Sequence, residues 1–364
     1  MAATAAVIWV LISGYSGGTQ GTVQVYRLDP AQGTLQRVAG AGEIANATFL
    51  CLHPRLPIVY VVSEVGDYQD QASGAVAAYA LDPATGQLRL LNLVSSQGSL
   101  PCHISVHPSG GLLAASSYTG GSLTLLPVLA DGRVGEASDV HRYSGTGGDP
   151  KRQTQSHVHS AIFAPGGDHL FVQDLGTDKI MQYRIDLAAG KAVPLDPPFL
   201  ATPPASGPRH LVFHPSGRWA YCITELDNSL LVLDHDRSKG TLSLAQTLSS
   251  LPPDFSGKSY GADIHVSPDG AWLYGSNRGH DSLAICRIEV ATGRLTLAGW
   301  APTGGNFPRG FALVPGSDLV LVANQNSHHI LSFRRDPATG QLLPTGARQE
   351  QHKPVCIAFY PPAR

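Results

Sequence analysis

Short apolar runs alternate with turn residues along the chain. The runs carry the two-residue period of half-buried strands, with almost no 3.6-residue helical period. One unit recurs, a strand closed by a proline: Phe49–Pro54, His103–Pro108, Ser160–Pro165, His210–Pro215, Asp263–Pro268, Gly310–Pro315 and Cys356–Pro361. The residues four and two before each proline are apolar or small in every copy, as at Leu211 and Phe213. The prolines lie 54, 57, 50, 53, 47 and 46 residues apart. Those at 108, 165, 215 and 268 open Pro-Ser-Gly, Pro-Gly-Gly or Pro-Asp-Gly turns. There Pro presets one backbone dihedral and Gly takes the left-handed position, so each turn predicts a tight hairpin.

A second strand follows each turn (Val59–Ser63, Leu112–Ser117, His169–Gln173, Trp219–Thr224, Trp272–Asn277, Leu319–Asn324), and then a third. Next comes a hairpin that reads Asp-Pro-Ala-x-Gly at Asp29–Gly33, Asp82–Gly86 and Asp336–Gly340, and Leu35, Leu88, Leu242, Leu295 and Leu342 open fourth strands. Four strands per repeat of about 50 residues predict the blade of an all-β propeller. The chain starts on a second strand, Val7–Ile12, and ends on a seventh first strand, Val355–Tyr360. We therefore expect one domain over residues 1–364: a seven-bladed β-propeller with four antiparallel strands per blade. The C-terminal strand joins the N-terminal blade, closing the ring and leaving no open edge.

Composition narrows the partners. The 25 basic and 27 acidic residues nearly cancel, and charged residues make up only 14% of the chain. A nucleic-acid binder needs a basic surplus, so none is expected as partner. No apolar stretch reaches the roughly 18 residues of a membrane span, and no membrane association is expected. The run Ala5–Ile12 has no basic segment before it and reads as a strand rather than a signal peptide. The five cysteines are odd in number and include no Cys-x-x-Cys pair, which fits reduced thiols in a cytoplasmic protein.

Antiparallel pairing places the starts of first strands and the ends of second strands at one mouth of the central channel. The residue six before each repeat proline is Thr48, Cys102, His159, Arg209, Ala262, Arg309 or Val355, and the next is Phe49, His103, Ser160, His210, Asp263, Gly310 or Cys356. Second strands end at Glu64, Glu225, Arg278 and Gln325. A repeat that breaks its own pattern with Arg, His and carboxylates at one mouth points to a site. The irregular stretch Tyr143–His157, which carries Arg152, runs straight into His159, and long loops in compact domains usually serve function. His157 and His159 are spaced to face one ion, but the sequence supplies no third ligand nearby, so no metal is expected. There is no phosphate-cradling glycine loop, and the Gly-x-Ser-x-Gly match Gly14-Tyr15-Ser16-Gly17-Gly18 reads as a turn rather than a strand-to-helix elbow, so neither a nucleotide nor a serine nucleophile is expected.

Several segments carry a family resemblance: Gln155-Ser156-His157-Val158-His159-Ser160, Gly207-Pro208-Arg209-His210, Tyr221-Cys222-Ile223-Thr224-Glu225-Leu226, Ala262-Asp263-Ile264-His265, Ser276-Asn277-Arg278-Gly279 and Pro308-Arg309-Gly310-Phe311. In order and spacing they resemble the lactonase family of seven-bladed propellers, the bacterial propeller-type 6-phosphogluconolactonases and the related fungal carboxy-muconate lactonizing enzymes. The resemblance implies metal-independent, cofactor-free lactone hydrolysis in the pentose phosphate pathway. It implies His159, Glu225, Arg209 and Arg278 as catalytic residues. The substrate would be a small anionic lactone held by Arg309, Asp263, His265, His103, His157, Arg152 and Gln325. A neutral His suits a base that deprotonates water, and Arg suits oxyanions and anionic groups. Which of His159 and Glu225 is the base stays open at this stage, and so does the oligomeric state. Two other readings stand beside the first: a lactonase or lactonizing enzyme for a carboxylated substrate, and a non-enzymatic propeller that binds a partner at its mouth.

Overall fold

The computed structural model describes residues 7–17 and 21–361; Ala5 and Ala6 of the N-terminal run lie outside them. Twenty-eight strands form seven four-stranded antiparallel sheets, with a single 3-10 turn at Gln325–Ser327 among the described residues. In each sheet the strands lie in the order first, second, third, fourth. The first strands are Pro354–Tyr360 in blade 1, Ala47–Leu52 in blade 2, Pro101–Val106 in blade 3, Val158–Phe163 in blade 4, Pro208–Phe213 in blade 5, Tyr260–Val266 in blade 6 and Pro308–Leu313 in blade 7. Each contacts the first strands of both neighbouring blades, so together they line a closed circle around the channel. The ring closes as expected: Pro354–Tyr360 pairs antiparallel with Trp9–Gly14, Trp9 opposite Tyr360 and Ile12 opposite Ile357.

Seven apolar clusters lie among the described residues, one between each pair of adjacent blades. Alternation explains this arrangement. A propeller sheet is covered on both faces, so successive side chains feed the two clusters flanking it. Val10 and Ile12 pack toward blade 7 while Leu11 packs toward blade 2. Burial of each such side chain contributes about 1.5–3 kcal/mol.

Turn chemistry ties blade to blade. Trp272 of blade 6 donates its indole N–H to the carbonyl of Pro337 in the Asp336–Gly340 turn of blade 7 at 2.9 Å. Gly340 has φ of 72°, and a Cβ there would meet the Trp272 ring at 2.5 Å. Only glycine satisfies both the left-handed backbone and the close approach. On the same face, the rings of His107 and His214 reach the turn carbonyls of Gly167 and Gly270 in the next blade, at 3.0 and 3.1 Å. These histidines are structural ties far from the channel mouth.

The feature that builds the site is a bulge. In six blades the pairing of first and second strands slips at the channel mouth, between Ala47 and Phe49, Pro101 and His103, Val158 and Ser160, Pro208 and His210, Gly261 and Ile264, and Pro308 and Gly310. In blade 1 the slip falls opposite Ser13 and Gly14 and leaves Val355 over. The residues left without a ladder partner are Thr48, Cys102, His159, Arg209, Ala262 with Asp263, Arg309 and Val355, the register singled out six residues before each proline. A bulge bends its strand and re-aims the extra side chain.

Candidate active site

At the bulged mouth lies a cavity of about 380 Å³, lined by Tyr15, Glu64, Cys102, Tyr118, Arg152, His159, Glu225, Tyr260, Arg278, Phe307 and Arg309. Apart from Arg152, every one of these comes from three repeat registers. Cys102, His159 and Arg309 are bulge residues. Tyr260 and Phe307 stand two residues before a bulge. Tyr15, Glu64, Tyr118 and Glu225 directly follow second strands, and Arg278, at the same repeat register, is the last residue of its own. Arg152 is supplied by the Tyr143–His157 segment between blades 3 and 4.

Glu225 is the electrostatic hub. Its Oε2 accepts from Arg209 Nε at 3.0 Å and from Arg278 Nη2 at 2.7 Å, and its Oε1 accepts from Arg152 Nη2 at 2.6 Å. Burial alone would raise the Glu225 pKa, but Arg278 and Arg209 outweigh it and hold the carboxyl far below its ordinary range. Both oxygens are taken by guanidinium donors and the group stays ionised, so Glu225 is a poor base and a good clamp. Arg209 is almost completely buried. It also donates through Nη1 to the carbonyl of Ala262, at the blade 6 bulge, and to His210 Nε2. Arg278 donates to the carbonyl of Gly261 at 2.8 Å and lies over the rings of Phe307 and Tyr260, while its own Nε is buried without a partner.

His159 is buried, and its Nδ1 has no hydrogen-bond partner. Burial first, then Arg209, His210 and Arg309, push its pKa well below 6.5, so the ring is neutral at pH 7. Tyr118 packs edge-on against it at 5.8 Å. Arg309 lies over the Tyr15 ring at 5.7 Å and makes no hydrogen bond or ion pair with the described residues. Cys102 gives its thiol proton to the carbonyls of Val158 and His159, and burial raises its pKa, so it is a thiol rather than a thiolate nucleophile.

The other sequence-derived candidates occupy different places. Arg209 stands immediately behind Glu225 rather than on the cavity wall. His103, Asp263 and His265 form a plug deeper in the channel. Phe49, His103 and His210 pack ring against ring at 4.3–5.6 Å, and His159 joins them through His210 at 5.3 Å. Asp263 bridges two histidines, His210 through Nδ1 and His265 through Nε2, each at 3.0 Å. Because Arg209 can only donate to His210 Nε2, His210 carries its proton on Nδ1 and gives it to Asp263. Burial and Arg209 lower the His210 pKa to about 4, whereas Asp263 outweighs burial and raises that of His265. His157 sits behind Tyr118, stacked on it at 4.2 Å and 15°. Gln325 is drawn into the 3-10 turn and does not line the cavity. No group of three His, Cys, Asp or Glu side chains positioned for a metal occurs among the described residues.

Tyr15, Tyr118, Tyr260 and Phe307 are not among the sequence-derived candidates, and Glu64, placed at the mouth by its register, is given no role there. Register would have found most of them, since Tyr15, Glu64 and Tyr118 hold the same repeat position as Glu225 and Arg278. A larger hollow of about 680 Å³ lies on the opposite face, between the turns of blades 4 and 5, where Asp168, His169, His235 and Arg237 line it. It contains none of the bulge residues.

The family model described as "Lactonase, 7-bladed beta-propeller" matches residues 9–359. A 6-phosphogluconolactonase of Formosa agariphila is 37% identical over 326 residues, covering 88% of this chain and 90% of that protein. One of Bacillus subtilis is 31% identical over 344 residues, covering 94% and 95%. The solved structure of a periplasmic gluconolactonase from Pseudomonas aeruginosa superposes with a TM-score of 0.90 at 34% identity, covering 97% of this chain and 99% of that one.

Proposed function

Because the chain belongs to the lactonase family of seven-bladed β-propellers, we propose that it hydrolyses 6-phosphogluconolactone to 6-phosphogluconate, the lactone-opening step of the pentose phosphate pathway, without a metal ion. Membership in an enzyme family sets aside the non-enzymatic scaffold. The observation that carries the reading is the cavity's charge arrangement: three arginines share one carboxylate and so keep a positive surplus, beside a fourth, Arg309, that makes no ion pair with the described residues. A guanidinium without a counter-ion suits an anionic substituent of the substrate.

In the proposed mechanism His159 is the base. Its neutral imidazole takes a proton from water as the water oxygen attacks the lactone carbonyl carbon. Arg278, held by Glu225, stabilises the oxyanion that develops, and Arg209 fixes Glu225 from behind. Glu225 orients these cations instead of moving a proton, which supports His159 as the base. Arg309 and Arg152 hold the substrate's anionic group, and the His103, His210, Asp263 and His265 plug gives the cavity a floor. His157 braces Tyr118, and Gln325 takes no part.

We place the reaction in the cytoplasm, supported by five free cysteines, four of them buried. No helix among the described residues is long and apolar enough to cross a membrane. The Pseudomonas relative motivates a second reading, an unphosphorylated gluconolactone as substrate. Enzyme-dependent opening of 6-phosphogluconolactone, glucono-1,5-lactone and a carboxylated muconolactone, each above its spontaneous rate and with and without chelator, tests the proposal. We expect the highest kcat/KM with the phosphorylated lactone and no effect of chelator. A preference for either other lactone overturns the substrate, and loss of activity with chelator overturns the metal-free mechanism.

A further inference from the structure

Lactone opening moves two protons: one leaves the attacking water, and one must reach the ring oxygen as it departs. His159 accounts for the first. Glu225 has no capacity for the second, because three guanidiniums occupy both its oxygens. One other carboxyl lines the cavity, that of Glu64.

Glu64 follows the second strand of blade 2, Ile58–Ser63, and its backbone is pinned on both sides by Asn46: the Glu64 N–H donates to the Asn46 carbonyl at 2.9 Å, and Asn46 Nδ2 donates to the Glu64 carbonyl at 3.3 Å. The side chain has Thr48 of its own blade beside it as a hydrogen-bonding group. Its Oε2 is buried with no hydrogen-bond partner, and no ion pair forms to Arg309, the cation that acts on it most strongly. The groups facing it are Arg309 of blade 7, Arg209 of blade 5, Thr48 of its own blade, Tyr15 of blade 1 and Cys102 of blade 3. Blade 2 stands two blades from His159, so the two side chains approach a bound lactone from different directions.

We propose that Glu64 is the general acid of the reaction, giving its proton to the ring oxygen of the lactone. This rests on the lactonase reading above. Water adds to the carbonyl carbon as His159 takes its proton. As the tetrahedral intermediate collapses, the bond from that carbon to the ring oxygen breaks, its electron pair stays on the oxygen, and the Glu64 proton completes the new hydroxyl. The proton held by His159 returns through solvent to Glu64, leaving the hydroxy acid as the net product of lactone and water. The two cavity carboxylates thus divide by environment. Burial raises the Glu64 pKa against the opposing pull of Arg309, Thr48 and Arg209, whereas that of Glu225 is held low. Such separation is how one site keeps one carboxyl as a proton donor and another as a charge.

The test compares E64Q and E64D with the wild type on two lactones, glucono-1,5-lactone, whose leaving oxygen is an alkoxide, and dihydrocoumarin, whose leaving oxygen is a phenolate that departs without an acid. E64Q should lose about 10²- to 10⁴-fold in kcat on the first and only a few-fold on the second. E64D should recover part of the loss. The ratio of the two rates within one variant does not depend on how much protein is folded. The alkaline limb of the wild-type kcat/KM profile, where Glu64 has lost its proton, should disappear in E64Q. Equal losses on both lactones, no loss on either, or an alkaline limb that persists in E64Q overturns the assignment. A wild type that opens neither lactone nor 6-phosphogluconolactone overturns the lactonase reading itself.

Discussion

Arg209 Nε and Glu225 Oε2 meet at 3.0 Å, in an ion pair whose side chains are only 1% and 8% exposed. Removing one member of a buried pair leaves an uncompensated charge and costs about 3–5 kcal/mol. E225Q strips the shared counter-ion from three arginines, so urea unfolding should show a loss of that order. R209K should remain impaired in lactone opening even where it folds. A single ammonium cannot donate at once to Glu225, the Ala262 carbonyl and His210 as the guanidinium does.

The same pair sets a pH dependence of stability. The Glu225 pKa is depressed in the folded protein, so its contribution is complete above the ordinary carboxyl value of 4.5 and drains away as pH falls below it. Unfolding free energy measured from pH 7 to 3 should fall more steeply below about 4.5 in the wild type than in E225Q, which has no proton to take up at that position. Parallel curves would remove Glu225 as the source.

For His159 the expectation is kinetic. H159A should lower kcat by about 10²- to 10⁴-fold with little change in KM. Because the ring titrates well below 6.5, the acid limb of the wild-type kcat/KM profile should lie below that pH. Full kcat in H159A would transfer the base to another group.

Arg309 should govern substrate choice. R309A should raise KM for the phosphorylated lactone by about 10- to 100-fold, the scale of a charge-assisted hydrogen bond of roughly 1.5–3 kcal/mol. It should change KM for glucono-1,5-lactone far less. Equal increases for both lactones would mean that Arg309 does not meet the phosphate.

Ending the chain after Lys353 removes the strand that supplies Cys356, Ile357 and Phe359 to two apolar clusters and exposes the edge of Trp9–Gly14. The truncated protein should lose its cooperative thermal transition. A truncation that melts like the full chain would show that ring closure adds no stability.

How far the chain could be read before its fold was known differs between scaffold and site. Seven prolines at near-constant spacing disclosed seven blades, and the unmatched strands at the two ends disclosed the closure, because both are one-dimensional patterns. Candidates at the bulge register, His159, Arg209 and Arg309, reached the site or its wall because that register repeats. Polarity as a filter misled at other positions. It passed over Tyr15 and Tyr118, which share the register of Glu225, and admitted Gln325, which a local turn withdraws. Depth was equally hidden. His103, Asp263 and His265 lie one and three residues beyond the bulge register, and a strand that runs down the channel carries those positions below the cavity. Which carboxylate is clamped and which is left unpartnered depends on arginines from three separate parts of the chain, a relation no local pattern records.

A side chain at the slip in strand pairing has no cross-strand mate to lose. Exchange of His159 or Arg309 leaves the neighbouring ladder bonds in place, while the apolar residues four and two before each proline answer only to the clusters between blades. Chemistry and architecture are thus inscribed at separate addresses within every repeat. The ring works like a seven-position dial, on which one blade can be given a new reactive group while the strand pairing of all seven is kept.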